Sequence, residues 1–339
     1  MKTNPGRFFE DYRVGEVIRH AVPRTIFGGE RALYHALYPA RHALYSSGEF
    51  ARDCGLPASP LDDLGAFHVV FGKTVPDISL NAVANLGYAE GRWGVPVYPG
   101  DTLRSESEVI GLKQNSNGKT GVVWVRTRGL RQDGAEVMSY VRWVMVRKRD
   151  VEAPAPATVV PDLAPSVDDL RIPDGLDFTS YDFELAGEPH RWGDYAVGEI
   201  IDHVDGVTIE EAEHMMATRL WQNTAKVHFD ATVRPDGSRL IYGGHVISMA
   251  RALSFNGLAN AQMIVALNAG AHANPCTAGM TVRAWSEVLD KKETAAPGVG
   301  ALRLRLVATT GAAGALKGED GKYLPSVLLD LDYWALIPL

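Results

Sequence analysis

Apolar positions along the chain fall into two rhythms, and each rhythm occurs twice. Period-two alternation runs over Thr102 to Leu112, Thr120 to Arg131 and Val137 to Val146, marked by Val123, Val125 and Val141, and predicts three strands. Asn115-Ser-Asn-Gly118 and Gln132-Asp-Gly134 supply the turns between them. The plan returns over Thr281 to Leu289, Ala301 to Val307 and Val327 to Ile337, with a larger Gly/Ala-rich loop near Thr310 to Lys322. Helical spacing precedes each strand set. Val246, Met249 and Leu253 share one face of a buried helix entered through Gly243 and Gly244. A second helix is predicted from Thr208-Ile-Glu-Glu211, where a hydroxyl three residues ahead of a carboxylate is a capping-box pattern, through Met215, Leu220 and Trp221. Helices followed by hairpin-linked strands predict an α+β fold, an antiparallel sheet wrapped on a helix.

The chain states this plan twice almost verbatim. Asp11-Tyr-x-Val-Gly-Glu-x-Ile-x-His20 recurs as Asp194-Tyr-x-Val-Gly-Glu-x-Ile-x-His203, an offset of 183 residues (11 to 194). The register holds through Thr25-Ile26 against Thr208-Ile209, Glu30 against Glu213, and Leu37-Tyr38 against Leu220-Trp221. Farther on the offset is 179 (96 to 275): Pro96, Gly100, Thr102 and Glu108-Val109 match Pro275, Gly279, Thr281 and Glu287-Val288. A repeat of whole-domain length implies a fused pair and not a solenoid. We divide the chain into a first domain over 1–150, a linker over 151–190 and a second domain over 191–339. The stretch Glu152 to Pro161 is Pro/Ala-rich and expected to be extended.

Composition narrows the classes. With 339 residues, 46% of them hydrophobic, each half can bury a core of its own. A net charge of -7 argues against nucleic acid as a partner, and Arg147-Lys-Arg149 reads as a solvated strand end. Two isolated cysteines, Cys54 and Cys276, fit a reducing compartment and offer no metal cluster. No signal-like segment or apolar run of membrane length occurs, so a soluble, cytoplasmic protein without a membrane partner is expected.

The candidate chemistry lies just past the second-half short helix, where His228 follows Asn223 by five residues. A lone loop histidine is most often a surface residue, but at these two positions the first half carries Ala40 and Tyr45, which cannot do acid/base work near neutral pH. Both halves keep the scaffold and one keeps an imidazole, so a single active site on the second half is expected, with the first half forming a channel over it. At the buried helix, the unpaired backbone N–H groups behind Gly243 and Gly244 suit an oxyanion, and Gly244 in particular would let a thioester oxygen approach closely. His245 is either a second polar group of the cleft or a satisfied core histidine.

These strings, with the Pro99-Gly-Asp-Thr102 turn, resemble the MaoC-like hydratases, and the resemblance covers essentially the whole chain as a double hot dog. Phe71 to Asn81, Gln222 to Phe229 and Tyr242 to His245 are similar to the branch that hydrates mesaconyl-CoA. The resemblance implies reversible addition of water across the double bond of an acyl-CoA thioester, with no cofactor beyond the CoA of the substrate, in a homo-oligomer. The family's Gly-Asp-x-Asn-Pro-x-His motif places its His at His228, its Asp at Asn223 and its Asn at Ala225. A departure from Asp to Asn has a physical reason if the acyl group carries its own carboxylate. A protein carboxylate within about 4 Å would repel it by about one to several kcal/mol, whereas an amide keeps the hydrogen bonds. Asn223 would then orient the water and His228 take its proton. Such a substrate needs a cation, for which Arg41 and Arg251 are the candidates, with Lys73 and Arg92 as candidates for the CoA phosphates. Competing readings are hydration of itaconyl-CoA or of a neutral (R)-specific enoyl-CoA, thioester hydrolysis through Asp62 and Asp63, and acyl-CoA binding without turnover.

Overall fold

The structure, a computed structural model, describes residues 2–339. Five strands precede residue 150: β1 (Val17–Thr25), β2 (Ala82–Trp93), β3 (Thr102–Gln114), β4 (Thr120–Arg131) and β5 (Glu136–Arg147). Five follow the connecting segment: β6 (Ile200–Thr208), β7 (Met263–His272), β8 (Thr281–Glu293), β9 (Val299–Thr309) and β10 (Val327–Pro338). They form one sheet in the order β1-β3-β4-β5-β2-β7-β10-β9-β8-β6, so the second set mirrors the first and the two join at β2 and β7. All pairings are antiparallel. At the seam Gly91 faces Leu267, and a Cβ on Gly91 would lie 2.6 Å from the Leu267 side chain. Glycine there lets the halves pair closely.

Each alternating segment is a strand, extended at its ends by up to four residues. Strands β2 and β7 carried no alternation signal. Met263 to Asn268 in β7 are buried without a break, because the centre of the sheet is covered on both faces.

The helices are α1 (Gly28–Leu37), α2 (Ala43–Ser46), α3 (Gly48–Asp53), α4 (Asp63–Thr74), α5 (Phe183–Ala186), α6 (Glu211–Leu220), α7 (Lys226–Phe229), α8 (Gly243–Leu253) and α9 (Phe255–Leu258). Every residue of α4 is buried, packed on β1 and β3, while α8 packs on β6, β8, β9 and β10. This is an α+β double hot dog. Helix α6 starts later than its hydroxyl suggested. Glu210 N–H donates to Glu213 Oε1 at 3.0 Å, just as Phe27 N–H donates to Glu30 Oε2 at 2.9 Å ahead of α1. Thr208 ends β6 instead, its hydroxyl 2.8 Å from that of Thr281, as Thr25 is from Thr102.

The repeated histidines have one structural task. His20 Nε2 meets Ser107 Oγ at 2.8 Å and His203 Nε2 meets Ser286 Oγ at 2.9 Å. The segment between the halves crosses the surface but is anchored. Asp177 N–H bonds to Cys54 O and Phe178 N–H to Pro297 O, and Val167, Phe178 and Tyr181 insert into a cluster with Phe50 and Trp334. Arg147 and Arg149 are exposed at the end of β5 as expected, whereas Lys148 between them is buried, its ammonium donating to Val151 O and Ala153 O where the chain turns out of the strand.

Candidate active site

A cavity of about 250 Å³ opens where the two halves meet. Phe71 of α4, Ser79, Ala82 to Asn85 and Tyr88 of β2, and Arg142 and Val144 of β5 come from the first half. Asn223, His228 of α7, Tyr242 and Gly243 at the start of α8, and His272 at the end of β7 come from the second.

His228 is half-buried, and the one-turn helix α7 aims it inward. Its Nδ1 lies 2.7 Å from Leu240 O. A carbonyl can only accept, so Nδ1 carries the proton and Nε2 keeps a lone pair, with no hydrogen-bond partner among the described residues. Burial pushes the imidazole below its ordinary pKa, against the opposing pull of the Leu240 carbonyl. The group is therefore a neutral base at neutral pH.

Asn223 is buried, and its Oδ1 accepts from Ala225 N–H at 3.3 Å. That contact turns its NH2 away from the loop backbone, ready to donate. Gln222, one residue earlier, has φ 56, a left-handed conformation uncommon for a side-chain-bearing residue. The turn is held from outside. Arg24 of the first half donates to Leu220 O, and the Cα of Gly72 on α4 presses on the Trp221 carbonyl, which would lie 1.7 Å from a Cβ placed there.

At the start of α8, Gly243 forms the cavity wall and Gly244 lies behind it. A Cβ on Gly243 would fall 2.3 Å from the His272 ring, and one on Gly244 2.4 Å from the Tyr242 ring. Of the two glycines, Gly243 lines the cavity, while the Cβ side of Gly244 faces Tyr242 and His68. Tyr242 N–H donates to His214 Nε2 at 3.0 Å and His245 N–H to Tyr242 O at 2.9 Å, whereas the N–H groups of Gly243 and Gly244 between them have no hydrogen-bond partner among the described residues.

Several expected site residues lie elsewhere. His245 is wholly buried, 3.4 Å from Tyr38 Oη and 3.7 Å from Glu213, and does not line the cavity; its place in the first turn of α8 points it into the core. Arg41 is exposed and stacks on Phe255 at 4.3 Å. Arg251 is buried and donates to Ser254 Oγ and to the carbonyls of Ala261 and Gln262, which occupy it structurally. Lys73 is buried against Val22 O, and Arg92 on β2 reaches Glu90 O. Two further cations, Arg147 and Lys226, line an adjoining pocket that shares Ser79, Ala82, Ala225 and Val227 with the cavity.

Sequence reasoning missed Arg142 and His272. Arg142 shares the inner face of β5 with Tyr140 and Val144; the signal was a charge within an apolar alternation, obscured because both parities of β5 are apolar. Its guanidinium donates to Ser79 Oγ at 2.9 Å and Thr74 Oγ1 at 2.7 Å and stacks on Phe71 at 4.3 Å. His272 meets Tyr88 Oη at 3.2 Å, and burial lowers its pKa to about 4. It follows no motif.

The equivalent place in the first half is closed. Tyr45 bonds to Asp63, which also accepts from Ile264 N–H at 2.6 Å. Burial, with Asp62 alongside, raises the Asp63 carboxyl to about 8. Both carboxyls are engaged in the core, Asp62 accepting from Leu64 N–H at 2.9 Å.

A family model described as mesaconyl-CoA hydratase matches residues 2–313. The chain is 80% identical over 342 residues to a protein of Cereibacter sphaeroides named mesaconyl-CoA hydratase, covering 100% of both. It is 58% identical over 348 residues to the β-methylmalyl-CoA dehydratase of Chloroflexus aurantiacus, covering 99% of this chain and 98% of that one. A crystal structure of a MaoC domain dehydratase from Chloroflexus aurantiacus superposes with TM-score 0.97 at 57% identity, over 100% of this chain and 99% of that one. A Mycobacterium tuberculosis protein described as a double hot dog shares the fold, with TM-score 0.77 at 24% identity over 98% of both chains. Profile, full-length identity and fold agree on one assignment: the chain belongs to the mesaconyl-CoA hydratase family.

Proposed function

We propose that this protein reversibly hydrates mesaconyl-CoA to β-methylmalyl-CoA, a hydro-lyase reaction, in the cavity between its halves. The observation that carries the reading is the His228 tautomer: Nδ1–H is committed to Leu240 O, so Nε2 stands free to accept a proton. The names of the two curated relatives give the two directions of this one reaction.

The step balances within the cavity. Asn223 NH2 donates to the water oxygen, and His228 Nε2 takes one of its protons. The oxygen bonds to the carbon β to the thioester, the double-bond electrons move onto the thioester oxygen, and the Gly243 N–H at the α8 terminus stabilises that oxyanion. The imidazolium then returns the proton to the α-carbon. CoA enters as part of the substrate, and the proton transfers call on no resident cofactor. Thioester hydrolysis is disfavoured because Asp62 and Asp63 are sealed in the core. Binding without turnover is disfavoured by the free Nε2. Replacing His228 by Ala should cut kcat about 10²–10⁴-fold in a mesaconyl-CoA hydration assay; near-normal turnover in a folded variant refutes the assignment.

A further inference from the structure

We infer that Arg142, with Asn85 beside it, receives the free carboxylate of the acyl group and selects a dicarboxylic enoyl-CoA over a neutral one; this rests on the hydratase reading above. Arg142 is completely buried, yet no carboxylate lies within ion-pair distance of it among the described residues. Two neutral hydroxyls are its hydrogen-bond partners, and its Nε–H has none. A guanidinium in that condition has lost its water without gaining an anion, an expensive arrangement unless a ligand supplies the charge.

The other buried arginine, Arg251, is committed differently, its guanidinium spent on the Ala261 and Gln262 carbonyls. Of the two, Arg142 lines the cavity. Asn85, in the same wall, has both its Oδ1 and Nδ2 buried without partners, so a donor and an acceptor are also held in reserve. No Asp or Glu lines the cavity to compete for the cation, and the position where the motif of related hydratases has Asp is Asn223.

Substrate chemistry requires this proximity. In mesaconyl-CoA the carbon that receives water also bears the free carboxylate, so base and cation must share one cavity. His228 and Arg142 do, one from each half. The stack of Phe71 on the guanidinium and the Ser79 and Thr74 hydroxyls fix its plane, leaving Nε–H and the remaining Nη–H donors for a forked contact.

The test measures kcat/KM for mesaconyl-CoA, its carboxyl methyl ester and crotonyl-CoA, in the wild type and in Arg142→Gln. Wild type should favour mesaconyl-CoA over both neutral thioesters by about 10²-fold or more, and Arg142→Gln should collapse that ratio by a similar factor. Arg142→Lys should restore part of it. Parallel loss on all three substrates in Arg142→Gln would show a structural arginine and overturn the proposal. If the variant does not fold, the wild-type comparison decides: an ester turned over as well as the acid overturns it while leaving the hydratase reading intact. A wild type that hydrates none of the three sinks that reading, and this inference with it.

Discussion

Helix α4 belongs to the half without the base, yet it sets the loop that carries Asn223, and a single methyl group should reveal this. Gly72 sits near the end of α4, where an added Cβ would meet the Trp221 carbonyl oxygen at 1.7 Å and its carbon at 3.0 Å. Both are backbone atoms and have no rotamer to change. Restoring even 3.0 Å needs a retreat of about 1.3 Å in a close-packed interior. The next residue, Gln222, is already left-handed, and Asn223 follows it, so the displacement passes to the Asn223 amide. Overpacking costs about 1–3 kcal/mol, offset by about 0.5–1 kcal/mol of helix propensity gained on replacing Gly by Ala. The net loss predicts a melting temperature lower by a few degrees at most. Misplacing a catalytic group by about 1 Å costs about 10²-fold in rate. Gly72→Ala should therefore stay folded and lose about 10²-fold in kcat, with a smaller change in KM, followed through the ultraviolet absorbance of the conjugated enoyl thioester. Gly65→Ala on the same helix is the control, because its Cβ would meet the flexible Leu61 side chain at 2.9 Å. Wild-type kcat in Gly72→Ala, or equal losses in both variants, refutes the coupling.

Other outcomes follow from the same geometry. Neutral His228 is the active form and burial lowers its pKa, so the acid limb of kcat/KM should fall below the ordinary histidine value of about 6.5. An acid limb above it contradicts the tautomer argument. The pocket beside the cavity mouth holds Arg147 and Lys226, and their double replacement by Ala should raise KM about 10-fold or more with kcat little changed, the raised KM being relieved in a substrate lacking the CoA phosphates. Tyr45→Phe removes the phenol bonded to Asp63 and should cost about 1–3 kcal/mol in denaturant titrations, while hydration proceeds within about twofold of wild type.

Much of this architecture is written locally. Duplication, the hairpin-linked strands, the buried helix α8 and the helix α6 were readable because alternation, glycine turns and helical spacing depend on near neighbours, and the Asn223/His228 pair stood out against Ala40/Tyr45 in an aligned repeat. The central strands β2 and β7 were not readable: burial on both faces of β7 erases the period that marks a strand, and β2 is exposed or half-buried over Ala82 to Leu86 and interrupted by glycines and charges farther on. Nor was the fate of the arginines. Arg41, Arg142 and Arg251 look alike in sequence, and only the tertiary structure decided that the first stacks outside, the last holds carbonyls, and Arg142 faces the cavity. Local composition sets which chemistry a residue can perform, but what it meets depends on contacts between segments more than a hundred residues apart, brought together when β2 pairs with β7.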